Sequence, residues 1–358
     1  MDGMMKVLIA MSGGVDSSVA AKLLCDEGCE CIGCTMKLYD NCDAGLPRGR
    51  TCCSLDDVED ARSVAFSLGM RYYVFNFKDD FREKVIKKFA SGYLRGQTPN
   101  PCIDCNRYMK FDKLLERAKL LGCDKLATGH YARIEFDGEK YRLKKALDKS
   151  KDQSYVLYML TQEQLAHTLF PLGSLHKTDT RAIADAADLS SARKPDSQDI
   201  CFVPDGDYAA AIERLTGEKA PCGDFIDASG KILGTHRGIT HYTVGQHRGL
   251  GLSLPERRYV CGIDAESGTV TIGGSDELYS STAEVRDFNW ISGEAPAEPI
   301  RCTAKIRYRQ PEQPATAIAH KGGSITIQFD SPQRAVTPGQ AAVLYDGDTV
   351  LGGGEIVR

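Results

Sequence analysis

Apolar residues along the first 130 positions keep two rhythms. KVLIA (6–10) is an unbroken apolar run entering the glycine turn MSGG, and CIGCTMKL (31–38) and RYYVFNF (71–77) are similar short runs; DKLATGH (124–130) follows later. Runs of this length bounded by turn residues predict buried strands. Between them the period lengthens to that of a helix. Val15 to Glu27 reads as one helix, and SLDDVEDARSVAFSLG (54–69) as another, with Leu55, Val58, Ala61, Ala65 and Leu68 on one face. In the second, Ser54 is placed to cap, and Asp56 and Asp57 suit the positive end. Residues 79–95 and RYMKFDKLLERAKLLG (107–122) give two more helices, separated by the loop GQTPNPCIDCN. Strands alternating with helices predict an α/β unit, a doubly wound parallel sheet covered on both faces. Ligands of such sheets gather at the carboxyl ends of the strands. The glycine turn, Met36 and TGHYAR (128–133) would meet there.

The rhythm changes near residue 205. One helix is expected at Tyr208–Leu215. Beyond it lie short runs rich in Gly, Thr, Val and Ile: KILGTHRGITHYTVGQ, RRYVCGIDAESGTVTIGG, CTAKIRYRQ, SITIQFD and AAVLYDGDTVLGGGEIV. Turn residues every eight to twelve positions point to small β-barrels or sandwiches. GGSDELYSS (273–281) reads as a break between two of them. The expected organisation is a parallel α/β domain over 1–205, a central β-rich domain over 206–275 and a C-terminal β-barrel over 276–358.

Composition adds limits. The 358 residues are 42% hydrophobic and 26% charged, ordinary for a globular protein of two or three domains. No apolar run approaches the roughly 20 residues of a membrane span, and the N-terminus reads as a first strand rather than a secretory signal. The cytoplasm is therefore expected, with the 14 cysteines held as thiols. The net charge of −4 is not that of a typical nucleic-acid-binding domain. Locally the balance reverses: residues 87–119 hold eight Lys/Arg against three Asp/Glu, and 231–258 and 301–321 each hold five against one. Such stretches can present a phosphate-binding face on an acidic protein.

Ser-Gly-Gly-Val-Asp-Ser-Ser (12–18) between a strand and a helix is an anion-binding arrangement. Glycines let backbone N–H groups approach a phosphate, and the helix start adds partial positive charge. Ser12, Ser17 and Ser18 offer hydroxyls. Asp16 would repel a phosphate unless it faces Mg2+. The lysine of a Walker loop, GxxxxGK[ST], is absent, which argues against γ-phosphate transfer. The stretch resembles the PP-loop of ATP pyrophosphatases, whose members split ATP between the α and β phosphates and adenylate a substrate. Such enzymes include amide-forming ligases as well as sulfurtransferases.

Cysteines bear on that choice. In TPNPCIDCNRYMKFD (98–112), Cys105 sits at an expected helix start, where a thiolate is favoured, with Arg107 and Lys110 nearby to help. KPDSQDICFV places Cys201 in a polar setting. With TGHYAR, KDQSYVLY, HKTDTR, YTVGQHRGLG, KIRYRQ and LGGGEIV, these segments resemble, in order and over nearly the whole chain, the bacterial tRNA-specific 2-thiouridylase family. The resemblance implies a PP-loop domain followed by two small β-barrels. It implies ATP and Mg2+ as requirements, and 2-thiolation of the wobble uridine in the anticodon loops of the tRNAs for Lys, Glu and Gln. It also implies a sulfur supply from a cysteine desulfurase or relay protein. Cys201 would carry a persulfide, and Cys105 would act as nucleophile and close a transient disulfide with it. Ala10, Met11, Ser12, Gly13, Gly14, Val15, Asp16, Ser17, Met36 and Gly129 would contact ATP. Asn100, Pro101 and Cys102 would border the target base. His130, Lys151, Asp152, Gln153, Arg307, Tyr308 and Gln340 would touch tRNA.

One position departs from the family. Many members have Asp where this chain has Cys102. Cys102, Cys105 and Cys201 could then offer three thiolates to a [4Fe–4S] cluster with one open iron; Cys102 as a resolving thiol or a passive lining residue is the other reading. Cys25, Cys29, Cys31 and Cys34 read as buried thiols rather than a metal site, and Cys52 and Cys53 carry no assignment. The competing function is an amide-forming ligase for a small molecule, which needs neither Cys105 nor Cys201.

Overall fold

The computed structural model describes residues 4–39, 55–195, 200–203 and 205–358. The expected cap at Ser54, and Cys52 and Cys53, lie outside them.

Strands β1 (Lys6–Ala10), β2 (Glu30–Lys37), β3 (Arg71–Asn76) and β4 (Lys125–Thr128) form the parallel sheet. The hairpin strands β5 (Ala132–Phe136) and β6 (Tyr141–Lys145) leave it, and β7 (Thr168–Leu169) returns, giving the order β3-β2-β1-β4-β7. The chain runs outward from β1 through β2 to β3, then resumes on the other side with β4. The strand order therefore reverses at β1, where a crevice opens in this class of sheet. Both faces of β1 are covered. Val7 and Ile9 pack against helix α1 (Val15–Asp26), helix α2 (Leu55–Ser67) and the helix Lys177–Ala186. Leu8 faces the other way, into a core with Phe89, Met109 and Leu114 from the helices over 78–94 and 101–120. Burial on both faces is the physical reason that β1 reads as a continuous apolar run.

The helix expected from Arg107 begins at Pro101. The Asn100 side chain caps it, accepting from the Cys102 N–H at 3.1 Å, and Pro101 takes the first helical position. The helix then widens to π-type hydrogen bonding over Cys105–Leu114. Cys105 thus lies inside the helix rather than beside its start.

A four-stranded sheet follows, built from β8 (Gly223–Ile226), β9 (Ile232–His236), β10 (Tyr259–Asp264) and β11 (Thr269–Gly273) in the order β10-β11-β8-β9. The last six strands are β12 (Tyr279–Trp290), β13 (Ile300–Lys305), β14 (Gln313–Ala319), β15 (Ile325–Arg334), β16 (Ala341–Asp346) and β17 (Thr349–Ile356). They pair in the order β12-β15-β14-β13-β16-β17, and β17 pairs back to β12, closing a six-stranded barrel without free edges. The periodicity of the sequence does not reveal that β6 adds to this barrel, Lys144 lying opposite Thr349 of β17. Segment 154–160 seals the junction. Tyr155, fully buried, donates its hydroxyl to Ala341 O at 2.8 Å, and Tyr345, Val343 and Val350 of the barrel join the core that holds Leu8. The barrel is packed onto the parallel-sheet unit and shares its hydrophobic core.

Candidate active site

The crevice at the end of β1 is a cleft of about 380 Å³. Its floor is the turn between β1 and α1. Ala10, Met11, Ser12, Asp16 and Ser17 line it, with Met36 at the end of β2 and Gly129 and His130 after β4. Gly13, Gly14 and Val15 shape the turn without lining the cleft; Gly13 takes φ +74°. The turn is tied internally. Ser17 Oγ donates to Gly14 O at 3.1 Å and accepts from the Ser12 N–H at 3.1 Å. Ser18 does not reach the cleft as the sequence suggested: it is fully buried, donates to Gly14 O at 2.9 Å and accepts from Ser191 Oγ. Gly129 meets the turn from above. A Cβ there would lie 2.8 Å from Asp16 C and Ser17 N, so only glycine lets β4 close on the turn.

The sequence left Asp16 as a charge that needs an answer. Lys177 provides it. Its Nζ donates to Asp16 Oδ1 at 2.6 Å with 11% of the lysine side chain exposed, and the Tyr131 hydroxyl lies 3.0 Å from the same oxygen. Lys177 opens the helix Lys177–Ala186, so a cation 161 residues away stands where the turn lacks its own. Its position in HKTDTR was visible; its partner was not, because nothing local in the sequence encodes a contact at that separation.

Pro101, Cys102 and Cys105 of the capped helix form one wall of the cleft, and Ile200, Cys201 and Phe202 another. Cys102 is exposed and Cys105 and Cys201 are half-buried. Phe202 anchors its segment. It is 2% exposed and meets the rings of Phe81 and Phe89 edge-on at 5.7 and 5.4 Å. The Tyr39 hydroxyl donates to Cys201 O at 2.8 Å. The two distant cysteines therefore share one cleft with the glycine turn. Among the described residues no three His, Cys, Asp or Glu side chains converge as a metal-binding group. Cys102, Cys105 and Cys201 all line the cleft. At the opposite end of the sheet, Cys31 is buried and hydrogen-bonds to Cys25, which pushes the Cys31 thiol up, and Cys25 down despite its partial burial. Cys34 instead lies opposite Ala10 and lines the cleft, buried, its thiol pushed up by desolvation, whereas Cys25 and Cys29 are only half-buried and not the buried thiols expected.

Lys110 and Arg107 part company. Lys110 lines the cleft, its Nζ 3.3 Å from His130 Nε2. Arg107 lies on the other side of the helix, in a small mixed-charge pocket with Asp104, Lys88, Tyr158 and Glu355, and does not face the cysteines. In that pocket burial pushes the Asp104 carboxyl up, opposed by Lys88 at 2.8 Å.

His130 is 7% exposed and packs against Phe111 and Phe170. Burial, and then the Lys110 ammonium, hold its pKa well below the usual value. The ring is neutral. Because an ammonium only donates, Nε2 accepts from Lys110 and Nδ1 carries the proton, donating to Thr128 Oγ1 at 2.6 Å. Gln153 lines the cleft, its Oε1 accepting from the Tyr131 N–H at 2.9 Å. Asp152 faces inward instead, accepting from the N–H groups of Ala146 and Ser154 and from Ser154 Oγ. Lys151 is half-buried beside it.

From the barrel, Tyr308 stands near Asp152 and Cys102 without lining the cleft itself, 38% exposed, its ring 5.9 Å from that of Tyr155. Burial, followed by the nearby Asp152 and Cys102, pushes its hydroxyl up. Lys305, not singled out by the sequence, lies 5.7 and 5.6 Å over the Tyr155 and Tyr308 rings, and burial pushes its ammonium down. Arg307 turns away. It donates to Val244 O, Ala335 O and Thr337 Oγ1, bridging the central sheet and the barrel. Gln340 donates through Nε2 to Thr98 O at 2.5 Å.

Three family profiles match in order: a tRNA methyl transferase HUP domain over residues 5–205, a tRNA methyl transferase PRC-barrel domain over 211–274 and an aminomethyltransferase β-barrel domain over 280–356. The chain is 52% identical over 355 residues to a tRNA-specific 2-thiouridylase of Acetivibrio thermocellus, covering 98% of this chain and 99% of that one. It is 51% identical over 353 residues to that of Moorella thermoacetica, covering 98% of each. It is 48% identical over 355 residues to that of Clostridioides difficile, covering 99% and 98%. A cleft joining a PP-loop-like turn to two cysteines from distant segments, matched end to end by such relatives, places this chain in the tRNA-specific 2-thiouridylase family.

Proposed function

We propose that the protein is a tRNA-uridine 2-sulfurtransferase that uses ATP to exchange the O2 oxygen of the wobble uridine for sulfur in the tRNAs for Lys, Glu and Gln. The observation that carries this reading is the single cleft shared by the glycine turn, Cys105 and Cys201. Oxide is a very poor leaving group at C2, whereas AMP is a good one. Uridine O2 attacks the α-phosphorus, the bond to the β-phosphate oxygen breaks, and pyrophosphate leaves. The outer sulfur of a persulfide on Cys201 then attacks C2 and AMP departs. The Cys105 thiolate attacks the inner sulfur, leaving the outer sulfur on C2 and closing a Cys105–Cys201 disulfide. A dithiol reductant supplies two electrons to reopen it, and a desulfurase or relay protein reloads Cys201.

The residues suit these tasks. Ser12, Ser17 and the backbone of 10–17, with Met36 and Gly129, hold ATP. Asp16, whose Oδ1 is held by Lys177 and Tyr131, would offer its other carboxylate oxygen to Mg2+, a hard cation that would neutralise phosphate charge. Pro101 and Cys102 border the base, while Asn100, which lines the pocket of Arg107 instead, caps the helix that presents them; the base must leave its stack, an easier step in a single-stranded loop. Tyr308 offers a ring for stacking, Gln153 an amide edge and Lys151 a cation. His130, neutral and buried, shapes the base pocket through Lys110. Arg307 contributes by fixing the barrel that presents Tyr308. The division at 205/206 and 275/276, and a cytoplasmic location, belong to the same reading; among the described residues no helix is long and apolar enough to cross a membrane.

Cys201→Ala tests the proposal. It should abolish 2-thiouridine formation on unmodified tRNA while ATP and tRNA bind as before. Wild-type protein purified anaerobically with stoichiometric iron that thiolates with sulfide as donor would favour the cluster route instead, and a Cys201→Ala variant that still thiolates would overturn both.

A further inference from the structure

The segment leading to Cys105 is held from outside its own domain. The Thr98 N–H donates to Pro338 O at 2.8 Å, and Gln340 Nε2 returns a bond to Thr98 O at 2.5 Å. Both backbone polar groups of Thr98 are thus satisfied by two barrel residues, Pro338 and Gln340, that flank Gly339. The approach is close: Gly339 has φ +86°, and a Cβ there would fall 2.8 Å from Thr98 N and 2.9 Å from Gln97 Cβ. The Thr98 hydroxyl lies 3.5 Å from that of Thr243 in the central β-rich part.

The chain beyond Thr98 is stiff. Pro99 and Pro101 have fixed φ and no N–H to donate, and Asn100 between them is committed to the Cys102 N–H at 3.1 Å. A displacement at Thr98 has little slack to be absorbed before it reaches the turn carrying Cys102 and Cys105. We propose that Gln340, with Pro338 and Gly339, is a positioning residue for Cys105: the barrel clamps the Thr98 backbone and so sets the wall of the cleft that carries the nucleophile. The role rests on the reading of Cys105 given above, and it differs from the direct tRNA contact that family resemblance implies for Gln340.

Alkylation of Cys105 separates the two roles because it needs neither tRNA nor turnover. Wild type, Gln340→Ala and Gln340→Glu are treated with iodoacetamide without tRNA, and each cysteine is followed by peptide mass spectrometry. Glu keeps the shape but cannot donate to Thr98 O, so it removes the bond at little steric cost. Cys29, at the far end of the sheet, reports any general loosening. The clamp requires the alkylation rate of Cys105 to change at least fivefold in both variants with that of Cys29 unchanged. It also requires kcat for thiolation to fall at least tenfold while tRNA affinity stays within twofold. Unchanged alkylation of Cys105 with tRNA affinity weakened fivefold or more would overturn the clamp and establish a direct RNA contact. Unchanged alkylation and unchanged affinity would overturn both. Equal changes at Cys29 and Cys105 would show a global effect and also count against it. Should the wild type fail to thiolate any tRNA, the proposed function falls, while the alkylation comparison still decides the clamp.

Discussion

Removing the Lys177 ammonium should turn the glycine turn against its own ligand. Lys177 neutralises Asp16 through a 2.6 Å bond. Without it a carboxylate faces the phosphates of ATP. Two unit charges about 6 Å apart interact by roughly 3 kcal/mol at an effective dielectric of about 20. The Asp16 side chain is 32% exposed, so screening reduces the repulsion to about 1–2 kcal/mol. That corresponds to a loss of about 5- to 30-fold in affinity. The assay is calorimetric binding of Mg2+-free ATP, which keeps metal binding at Asp16 out of the comparison. Lys177→Ala should weaken binding by that factor, Lys177→Arg should hold it, and Asp16→Asn combined with Lys177→Ala should recover most of the loss. Thermal midpoints establish that each variant is folded. A double variant as weak as Lys177→Ala alone would refute the charge-cancelling argument, as would a Lys177→Ala variant with unchanged affinity.

Gly129→Ala places a methyl 2.8 Å from the Asp16 backbone; it should cost about 1–3 kcal/mol by overpacking and weaken ATP binding, read by denaturant unfolding and by calorimetry. Asn100→Ala removes the cap of the helix bearing Cys105 and should cost about 1 kcal/mol, with faster amide exchange confined to residues 102–106. His130 should make stability pH-dependent. Its folded pKa lies below its ordinary value, so below about pH 6.5 the unfolded chain binds a proton that the folded chain refuses. Stability is therefore greatest above that pH and falls by about 1.4 kcal/mol per unit on acidification until the folded pKa is reached. His130→Gln should flatten that slope in urea melts between pH 7.5 and 5, and an unchanged slope would contradict the neutral, buried ring.

Local patterns in the sequence reach the catalytic elements well. The apolar run 6–10, the glycine turn and the helix after it are all encoded within residues 6–26, and burial of β1 on both faces is what its unbroken run means. The cysteines at 105 and 201 stand out because thiols beside polar, proline-bounded turns are chemically conspicuous. What stays hidden is non-local. The bond of Lys177 to Asp16, the grip of Gln340 on Thr98 and the pairing of Lys144 with Thr349 link positions more than 160 residues apart, and no periodicity records them. Helical phase misleads in one place: Arg107 and Lys110 are three residues apart, yet the widened turn sends one to the cleft and the other to the pocket of Asp104. The pattern puts the start of that helix six residues late because Asn100 and Pro101 read as loop residues, although the same pair is a cap followed by the residue favoured at the first helical position.

Pyrophosphate release with unmodified tRNA is the most direct test of the central claim that this cleft activates a tRNA uridine for sulfur insertion. With ATP, persulfide-loaded protein and tRNA, one pyrophosphate and one AMP should appear for each 2-thiouridine formed. Cys201→Ala should keep the tRNA-dependent pyrophosphate burst while losing the 2-thiouridine. Pyrophosphate released with a free amino acid in the absence of tRNA, or 2-thiouridine formed without AMP, would contradict it.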